Sequence, residues 1–412
     1  MKFSQKKITV LSLGLFLVAL VCLQSCHKES VDPVTEEPTA SMYPCENGFA
    51  DIYPCNGFDL MAHIPLATLN ASSGSDCWGW TDASTGKEYA LICLNNGTAF
   101  IDISNTKAPI YLGKLPTETI NNDWRDVKVY NNHAYIVADN AGDYGMQVFD
   151  LTQLRNVSNP PEIFTVNNVY TNVGSCHNVI VNENNGVAYL VGCDSYGGGP
   201  IFIDISNPQN PVELGGYADL GYTHDAQVVT YNGPDVSYQG KEIFVGSNEN
   251  EVVIVDVSDK TTPQFISKIS YNNFGYAHQG WFTKNMKYFI VGDEEDEISF
   301  GNNTRTIVFD FTDLDNPVYH MDYLGPSTAI DHNGYVQDDY FFQANYRAGM
   351  RVLDLTNISN KTITELGFFD TYPENNTTNF DGAWSVYPYF PSGNIIISDI
   401  NRGLFVVRKS GS

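Results

Sequence analysis

The feature that most constrains the fold is a short strand motif that recurs along most of the chain. In its clearest copy, residues 251–263, the aliphatic residues Val252 to Val255 are followed by Asp256 and a polar turn that ends in proline. The other copies, with successive copies 44 to 54 residues apart, are residues 98–102, 146–150, 200–204, 306–310, 350–354 and the degenerate 404–408. A repeat of that period, built from strands alone, is typical of propellers and solenoids.

Each repeat has room for four strands, of which the motif is the third. The first strand is predicted to open with an aromatic or histidine side chain: Trp78, Trp124, His177, His224, His278, His332 and Trp384. Seven such repeats predict an all-β fold, a seven-bladed β-propeller of four-stranded antiparallel blades. The Asp that ends most copies of the motif is expected to cap the following turn with its carboxylate.

The ends of the repeat array predict how the ring closes. The last repeat ends at Arg408 without a fourth strand, and the apolar segment 58–66 precedes the first repeat without a partner. A ring without exposed edges requires every strand to be paired. The N-terminal strand is therefore predicted to complete the last blade, with the propeller spanning residues 58–409.

Residues 1–25 have the organisation of a lipoprotein signal peptide. Lys2, Lys6 and Lys7 precede an apolar run, residues 8–21, which is shorter than the roughly 20 residues of a membrane span. The run leads into Leu-Gln-Ser-Cys, which resembles the bacterial lipobox and predicts lipidation of Cys26. The alternative is an ordinary secretory peptide that happens to contain this cysteine.

The lipid would fix both the location and one partner of the chain. We expect a lipid-anchored protein of the bacterial cell envelope, on the outer membrane or cell surface and facing the exterior, with the membrane as its partner. Residues 26–44 comprise the lipidated Cys and a tether rich in acids and prolines, without apolar periodicity. Residues 45–57 form a lead-in closed by a disulfide.

Six cysteines follow the signal region, and export permits disulfides. In an antiparallel hairpin, residues equidistant from the turn face each other within disulfide reach. This argument predicts Cys77–Cys93 about the turn at Thr85 and Gly86, and Cys176–Cys193 about Asn184 and Asn185. The remaining pair, Cys45–Cys55, closes a small loop.

The formal charge is −26, and no basic patch interrupts it. Nucleic acid is excluded as a partner because its phosphates would be repelled.

Several longer motifs resemble the choice-of-anchor B family of bacterial surface proteins, whose repeat is called LVIVD. They include residues 78–82 (WGWTD), 124–130 (WRDVKVY), 176–178 (CHN), 222–227 (YTHDAQ), 278–281 (HQGW), 331–333 (DHN) and 345–349 (NYRAG). The resemblance implies a secreted β-propeller attached to the cell surface, with an anchor that differs among members. It implies no established activity.

The strongest candidate site is a set of histidines that open four consecutive inner strands. His177, His224, His278 and His332 are expected to converge on the central channel, where Asp225 and Asp331 could orient them. Neutral imidazoles and carboxylates are ligands for Zn or Cu. The alternative is that each histidine binds the backbone of a neighbouring blade.

A second candidate is the acidic run Asp293, Glu294, Glu295, Asp296 and Glu297. Clustered carboxylates suit Ca²⁺, although such runs are also commonly solvated surface.

No nucleophile or phosphate-binding motif is present, so the sequence identifies no catalytic residue and does not indicate an enzyme. Trp78, Trp80, Trp124 and Trp281 could stack on sugars, and Arg125 could hold an anion or form a salt bridge across blades. The leading function is a surface-tethered module that binds an extracellular protein or glycan. The alternatives are an exported metalloenzyme with a histidine cluster in the channel, and a structural component of the envelope.

Overall fold

The computed structural model describes residues 43–412, and its strands form seven sheets, each a blade of a propeller. Ahead of the first blade lie β1 (Phe49–Ala50), β2 (Tyr53–Asn56) and β3 (Phe58–Ile64). Blade 1 contains β4 (Gly74–Thr81), β5 (Glu88–Leu94), β6 (Gly97–Asp102) and β7 (Ile110–Pro116). Blade 2 contains β8 (Arg125–Tyr130), β9 (His133–Ala138), β10 (Met146–Asp150) and β12 (Asn168–Tyr170), with β11 (Glu162–Ile163) preceding its last strand.

The remaining blades repeat this order. Blade 3 contains β13 (Asn178–Asn182), β14 (Val187–Val191), β15 (Ile201–Asp204) and β16 (Val212–Gly216), and blade 4 contains β17 (Asp225–Thr230), β18 (Glu242–Ser247), β19 (Val252–Asp256) and β20 (Gln264–Ile269). Blade 5 contains β21 (Ala277–Phe282), β22 (Tyr288–Asp293), β23 (Arg305–Asp310) and β24 (Val318–Leu324), and blade 6 contains β25 (Gly334–Gln337), β26 (Tyr340–Ala344), β27 (Met350–Asp354) and β28 (Thr364–Phe369). Blade 7 contains β29 (Ala383–Tyr387), β30 (Asn394–Asp399) and β31 (Gly403–Lys409).

Helical structure in residues 43–412 is limited to short connecting segments. These are the 3₁₀ turns Leu151–Asn156, Tyr196–Gly198 and Ile358–Asn360, and the single α-helical turn α1 (Asp296–Phe300). None of the helices in this part of the chain is long and apolar enough to cross a membrane.

The ring closes as the sequence predicts. The first strand of each blade contacts the first strand of the next, and β29 of blade 7 contacts β4 of blade 1. The N-terminal strand β3 pairs antiparallel with β31 and completes blade 7, from Phe58 opposite Lys409 to Ile64 opposite Leu404. The seven-bladed propeller and its closure by an N-terminal strand are therefore confirmed.

The strands before the first blade also hold blade 6. Strand β2 pairs with β28 on the outer edge of that blade, and β1 adds a further strand beyond it. Because β3 then crosses to blade 7, the segment from β1 to β3 joins two neighbouring blades. The Cys45–Cys55 disulfide, with a Cα–Cα distance of 6.0 Å, ties the residues just before β1 to β2.

The repeated motif forms the core between blades. All five residues of β19 are buried, and their side chains alternate between two clusters. Val252 and Ile254 pack against blade 5, whereas Val253 and Val255 pack against blade 3. Both faces of a third strand are therefore apolar because a neighbouring blade covers each of them.

The Asp that ends the motif caps the next turn, as predicted. In six blades its Oδ1 accepts a hydrogen bond at 2.8–3.0 Å from the backbone N–H two residues later: Asp102, Asp150, Asp204, Asp256, Asp310 and Asp354. This carboxylate specifies a turn and leaves the motif without a functional role of its own.

Two of the three predicted disulfides are confirmed. Cys176–Cys193 joins the segment before β13 to the segment after β14, with a Cα–Cα distance of 4.0 Å, and Cys45–Cys55 is also formed.

The predicted Cys77–Cys93 disulfide is wrong, because both thiols are free and buried. The pairing of Thr81 with Glu88 and of Cys77 with Ile92 places Cys93 one residue out of register. A shift of one residue moves a side chain to the opposite face of a sheet. Cys77 consequently packs against blade 7 and Cys93 against blade 2.

Candidate functional site

The central channel has two ends of different character, because all seven inner strands run through it in the same direction. We call the end where they begin the histidine end, after His177, His224, His278 and His332. We call the other end the aromatic end, after the cavity that Trp78, Trp281, Tyr335, Tyr387 and Tyr389 help to line.

The four predicted histidines do converge. Their rings form a continuous row, and the ring centroids of His177 and His224, of His224 and His278, and of His278 and His332 are each 4.2 Å apart. The cavity that they line with Trp124 and Trp384 has a volume of about 10 Å³. That volume holds roughly one water molecule, so the channel is nearly closed at this end.

At the position that a histidine occupies in blades 3 to 6, blade 1 has Ser75 and blade 2 has Arg125. The prediction that Trp78 and Trp124 occupy this position is therefore wrong. Asp126 accepts a hydrogen bond from Val179 N in the next blade, just as Gln279 accepts one from Gly334 N, so Asp126 and Gln279 are equivalent positions. The residues that precede them, Arg125 and His278, are therefore equivalent as well. Bulges in β4, β21 and β29 shift the strand openings in a way that spacing alone does not reveal.

Arg125 neither faces an open mouth nor forms the expected salt bridge. Its guanidinium is buried and donates to Thr117 Oγ1 at 2.6 Å and to Ile120 O at 3.2 Å, and it lies over the Tyr144 ring.

Backbone carbonyls fix the protonation pattern of two of the imidazoles. His224 Nδ1 donates to His278 O at 3.0 Å, and His332 Nδ1 donates to Trp384 O at 2.5 Å. A carbonyl can only accept, so Nδ1 carries the proton and Nε2 carries a lone pair in the neutral form. In His224 and His332, one ring nitrogen therefore binds the backbone of the neighbouring blade, as the alternative interpretation has it, and the other nitrogen is available.

Burial keeps these rings neutral. It lowers the pKa of His332 to about 4 and lowers the pKa values of His224 and His278 well below the usual value. Burial opposes the cationic form because an imidazolium loses its hydration there. Neutral imidazole is also the form that binds metal ions.

The carboxylate beside the row is Glu294, which follows β22. Its Oε2 lies 3.7 Å from His278 Nε2, its Oε1 lies 3.6 Å from His332 Nε2, and Tyr346 OH donates to Oε1 at 2.7 Å. The ligand atoms of His278, Glu294 and His332 all lie within 4.8 Å of one another. Burial raises the pKa of Glu294 to about 7.

The two carboxylates predicted to orient the histidines lie elsewhere. Asp331 is fully buried against Gly292 and accepts a hydrogen bond from Gln343 Nε2 at 3.0 Å. Asp225 lines the cavity at the aromatic end. Sequence proximity to a histidine was the signal in both cases, but adjacent residues of a strand point in opposite directions.

The acidic run does not share one centre. Asp293 accepts hydrogen bonds from Gly275 N, Tyr276 N and Tyr271 OH at 2.6–2.8 Å, and Asp296 pairs with Arg305 Nε at 2.5 Å. Glu295 is exposed, Glu297 Oε1 accepts a hydrogen bond from Arg305 N, and Glu294 faces the histidines. Because the carboxylates face in different directions, the run forms no common cage of the kind that Ca²⁺ requires.

Below the histidine row, a second tier of polar side chains divides the channel. It consists of the residue after each of the four histidines and the equivalent residue in the other three blades: Asp76, Asp126, Asn178, Asp225, Gln279, Asn333 and Ser385. Lys128 Nζ contacts Asp126 Oδ1 at 2.5 Å and Asp76 Oδ2 at 3.2 Å. We call these seven residues the partition, because they separate the two ends.

The partition is electrostatically constrained. Although burial opposes ionisation, the Lys128 ammonium holds the pKa of Asp76 below its usual value, whereas burial raises the pKa of Asp126 well above it. The lysine therefore favours the ionised form of Asp76, whereas burial favours the protonated form of Asp126. Burial also raises the pKa of Asp225 to about 7, against the opposing effect of Lys128.

The aromatic end opens into a cavity of about 560 Å³ to which every blade contributes. The residues two positions after the partition line it: Trp78, Lys128, Ile180, Gln227, Trp281, Tyr335 and Tyr387. Side chains two positions apart on a strand lie on the same face of the sheet. The lining residues can therefore be identified from the sequence once the partition residues are known. Asn182, Glu183, Asn184 and Asn232 add polar groups to the lining.

The aromatic side chains are held by edge-on contacts with one another. The Tyr335 ring lies 5.5 Å from Trp78 and 4.9 Å from Trp281, both nearly perpendicular, and Tyr389 OH donates to Val336 O at 3.0 Å. Trp78, Trp281 and Tyr389 remain partly exposed. Of the other two tryptophans considered for sugar stacking, Trp80 is buried against Tyr89, and Trp124 lies at the histidine end.

The fold and the channel define the class: a seven-bladed β-propeller protein. The family model of the LVIVD repeat matches residues 123–169, 197–219 and 233–272, which contain strands of blades 2, 3 and 4. The chain therefore contains LVIVD repeats within a seven-bladed β-propeller. No curated protein sequence matches it.

Solved structures share the fold at low sequence identity. A hydrazine synthase structure from Kuenenia stuttgartiensis has a TM-score of 0.55 at 12% identity, with 79% of this chain and 93% of that chain covered. A protein from Lactobacillus plantarum has a TM-score of 0.51 at 12% identity, with 79% and 88% covered. The β-propeller domain of Cps50 (Swd1) from Myceliophteria thermophila has a TM-score of 0.51 at 8% identity, with 82% and 97% covered.

Proposed function

We propose that this propeller is a binding module on the bacterial cell surface and that a saccharide, such as the end of a glycan chain, occupies the aromatic cavity. The observation that carries the proposal is the convergence of all seven inner strands on one cavity of about 560 Å³. Ligand sites for small molecules have volumes of about 300–1,000 Å³, with apolar walls and a few polar groups.

The lining suits a sugar ring in particular. The partly exposed faces of Trp78 and Trp281 offer apolar surface for the C–H groups of a pyranose. Asn182, Asn184 and Gln227 supply amide donors and acceptors, and Glu183 and Asp225 supply carboxyl groups for hydroxyl groups. A folded protein is too large for this cavity, so a protein partner would have to bind the outer surface instead.

The proposed location rests on the N-terminal segment, which lies outside the described residues. Lipidation of Cys26 would place the propeller on the outer membrane, facing the exterior, at the end of the tether formed by residues 26–44. The repeats are compatible with membership of the choice-of-anchor B family. Cys26→Ser is expected to release the protein from the membrane fraction, and unchanged fractionation would contradict the anchor.

Saccharide binding is tested with the full-length protein in mild detergent, against a panel of soluble oligosaccharides by calorimetry. Trp281→Ala is expected to weaken binding about 30-fold, the effect of losing a well-packed aromatic anchor worth about 2 kcal/mol. Trp124→Ala, which removes an exposed tryptophan at the histidine end, is the control and should bind as the wild type does. Absence of binding, or equal binding by Trp281→Ala, would contradict the proposal.

A second candidate function, an exported metalloenzyme, is favoured by the three potential ligands His278, Glu294 and His332 at the histidine end. Turnover of a substrate that is lost in Glu294→Gln but retained in Trp281→Ala would favour it. A purely structural role in the envelope predicts that neither variant changes any binding or activity.

A further inference from the structure

We propose that His278, Glu294 and His332 form a mononuclear zinc site at the histidine end of the channel. This site is distinct from the aromatic cavity and does not depend on saccharide binding. The proposal rests on three observations: the spacing of the ligand atoms, the direction of the His332 lone pair, and the partners of the Glu294 carboxylate.

The spacing is that of ligands around a common ion. Glu294 Oε1 and Oε2 lie 3.6 Å and 3.7 Å from the Nε2 atoms of His332 and His278. These distances exceed those of an N–H···O hydrogen bond. Two atoms bound to one tetrahedral Zn²⁺, with bonds of about 2.0–2.1 Å, lie roughly 3.4 Å apart. A small inward movement of the three side chains would complete the coordination.

The Nε2 lone pair of His332 faces Glu294. His332 Nδ1 donates to the Trp384 carbonyl, so the neutral ring presents an unprotonated Nε2 to Glu294. An imidazole lone pair and a carboxylate oxygen repel each other unless a positive charge lies between them. A carbonyl that accepts from the distal nitrogen is also the usual second-shell partner of a histidine that binds metal.

Within the described part of the chain, no Lys or Arg side chain pairs with the Glu294 carboxylate. Among residues 43–412, the ion pairs of Glu294 are with His278 and His332, and its hydroxyl donor is Tyr346. The imidazoles are buried and neutral, and a buried carboxylate without a counter-charge is costly. A divalent cation at this point would supply the missing charge, and Tyr346 would orient the carboxylate.

The donor set favours zinc over the other common cations. Two imidazole nitrogens and one carboxylate oxygen are a set that binds zinc with one position left for water or a ligand. Mg²⁺ and Ca²⁺ prefer oxygen ligands alone, so they should not compete. Cu²⁺ and Ni²⁺ suit imidazole as well, and the stoichiometry with each metal can be compared directly.

The test uses full-length protein purified without a histidine tag, stripped with a chelator, and titrated with Zn²⁺ and with Co²⁺. One equivalent of Zn²⁺ should bind and raise the melting temperature. One equivalent of Co²⁺ should give visible absorption bands of a four-coordinate site. No binding of either ion up to about 1 mM would overturn the proposal.

The variants separate a metal site from a merely structural cluster. Glu294→Gln keeps the size of the side chain and is expected to weaken zinc affinity by about 100-fold or more. Tyr346→Phe, which removes a positioning residue, should weaken it by about 10–100-fold. Asp315→Asn alters the exposed group Asp235, Asp313 and Asp315, the other cluster of potential ligands in the described residues, and should bind zinc as the wild type does.

Stability in chelator distinguishes lost binding from misfolding. Without metal, Glu294→Gln should melt at the same or a higher temperature than the wild type, because a neutral amide replaces a buried carboxyl. With zinc the wild type should melt at the higher temperature, because it binds zinc more tightly than Glu294→Gln does. Zinc binding that is equal in wild type and Glu294→Gln, or lost equally in Asp315→Asn, would overturn the proposal.

Discussion

The two ends of the channel are formed by the same seven strands and have opposite properties. At the histidine end four rings lie in contact, backbone carbonyls bind two of them, and the cavity is about 10 Å³. At the aromatic end the cavity is about 560 Å³, and its tryptophans are partly exposed. A tightly packed, hydrogen-bonded end fixes ligand atoms in place, as a metal requires, whereas an open end lined by aromatic faces admits an organic ligand.

The largest expected effect concerns the partition between the ends. Lys128→Met removes the cation that lies against Asp76 and Asp126, which leaves a buried carboxylate without a partner. We expect a loss of about 3–5 kcal/mol in the free energy of unfolding, measured by urea denaturation. Lys284→Met, which breaks the exposed pair with Asp338, should cost about 1 kcal/mol or less. Equal losses in the two variants would mean that the partition is not held by charge.

A smaller effect distinguishes the ends by pH. Burial raises the pKa of Glu297, three residues after Glu294 of the histidine end, to about 9, and that of Asp225, which lines the aromatic cavity, to about 7. A carboxyl whose pKa is raised by folding holds its proton more tightly in the folded state, so stability falls as pH rises from the unfolded to the folded pKa. The effect of His332 on stability has the opposite sign. Its pKa is lowered to about 4, so its contribution to the free energy of unfolding increases as pH rises from about 4 to 6.5.

Melting temperatures in chelator should therefore fall between pH 6.5 and 9. Glu297→Gln should reduce that fall over the whole interval, whereas Asp225→Asn should reduce it only up to about pH 7–8. Glu295→Gln, an exposed neighbour, is the control and should follow the wild type. If the two buried variants gave the same profile, the ends would not differ in the way their pKa values indicate.

The smallest expected effect is the coupling between the ends. Trp281 and Glu294 share no contact, and the partition lies between the aromatic cavity and the histidine row. The stabilisation by zinc and that by a bound saccharide should therefore add within about 0.3–0.5 kcal/mol. The measurement is a thermal denaturation series with each ligand and with both, in wild type, Trp281→Ala and Glu294→Gln. A larger deviation from additivity would show that the partition transmits binding from one end to the other.

Sequence patterns were sufficient wherever local spacing determines geometry. The Asp after each third strand predicted the turn cap, and the equal distances of Cys176 and Cys193 from their turn predicted a disulfide. The same argument failed for Cys77 and Cys93, because the turn is centred one residue earlier and pairs Cys77 with Ile92. The error is one residue, but in a sheet one residue exchanges the two faces.

The candidate site was partly predictable for the same reason. Four histidines at equivalent repeat positions had to converge, because a closed ring brings equivalent positions together. Their carboxylate was not predictable: Asp225 and Asp331 adjoin histidines in sequence, but Glu294 reaches them from the end of the next strand. Lys128 and Tyr335 also gave no signal as single residues.

The sequence by itself determined the seven blades, the closing strand β3 and the histidine row, since these follow from a repeat and from strand periodicity. The tertiary structure alone decided which side chains meet inside the channel. Contacts inside the channel join residues more than 50 positions apart, as when Asp126 accepts a hydrogen bond from Val179 N. Which residues meet depends on bulges and on the packing of one blade against the next. No local pattern encodes those distances, because they arise only when the ring closes.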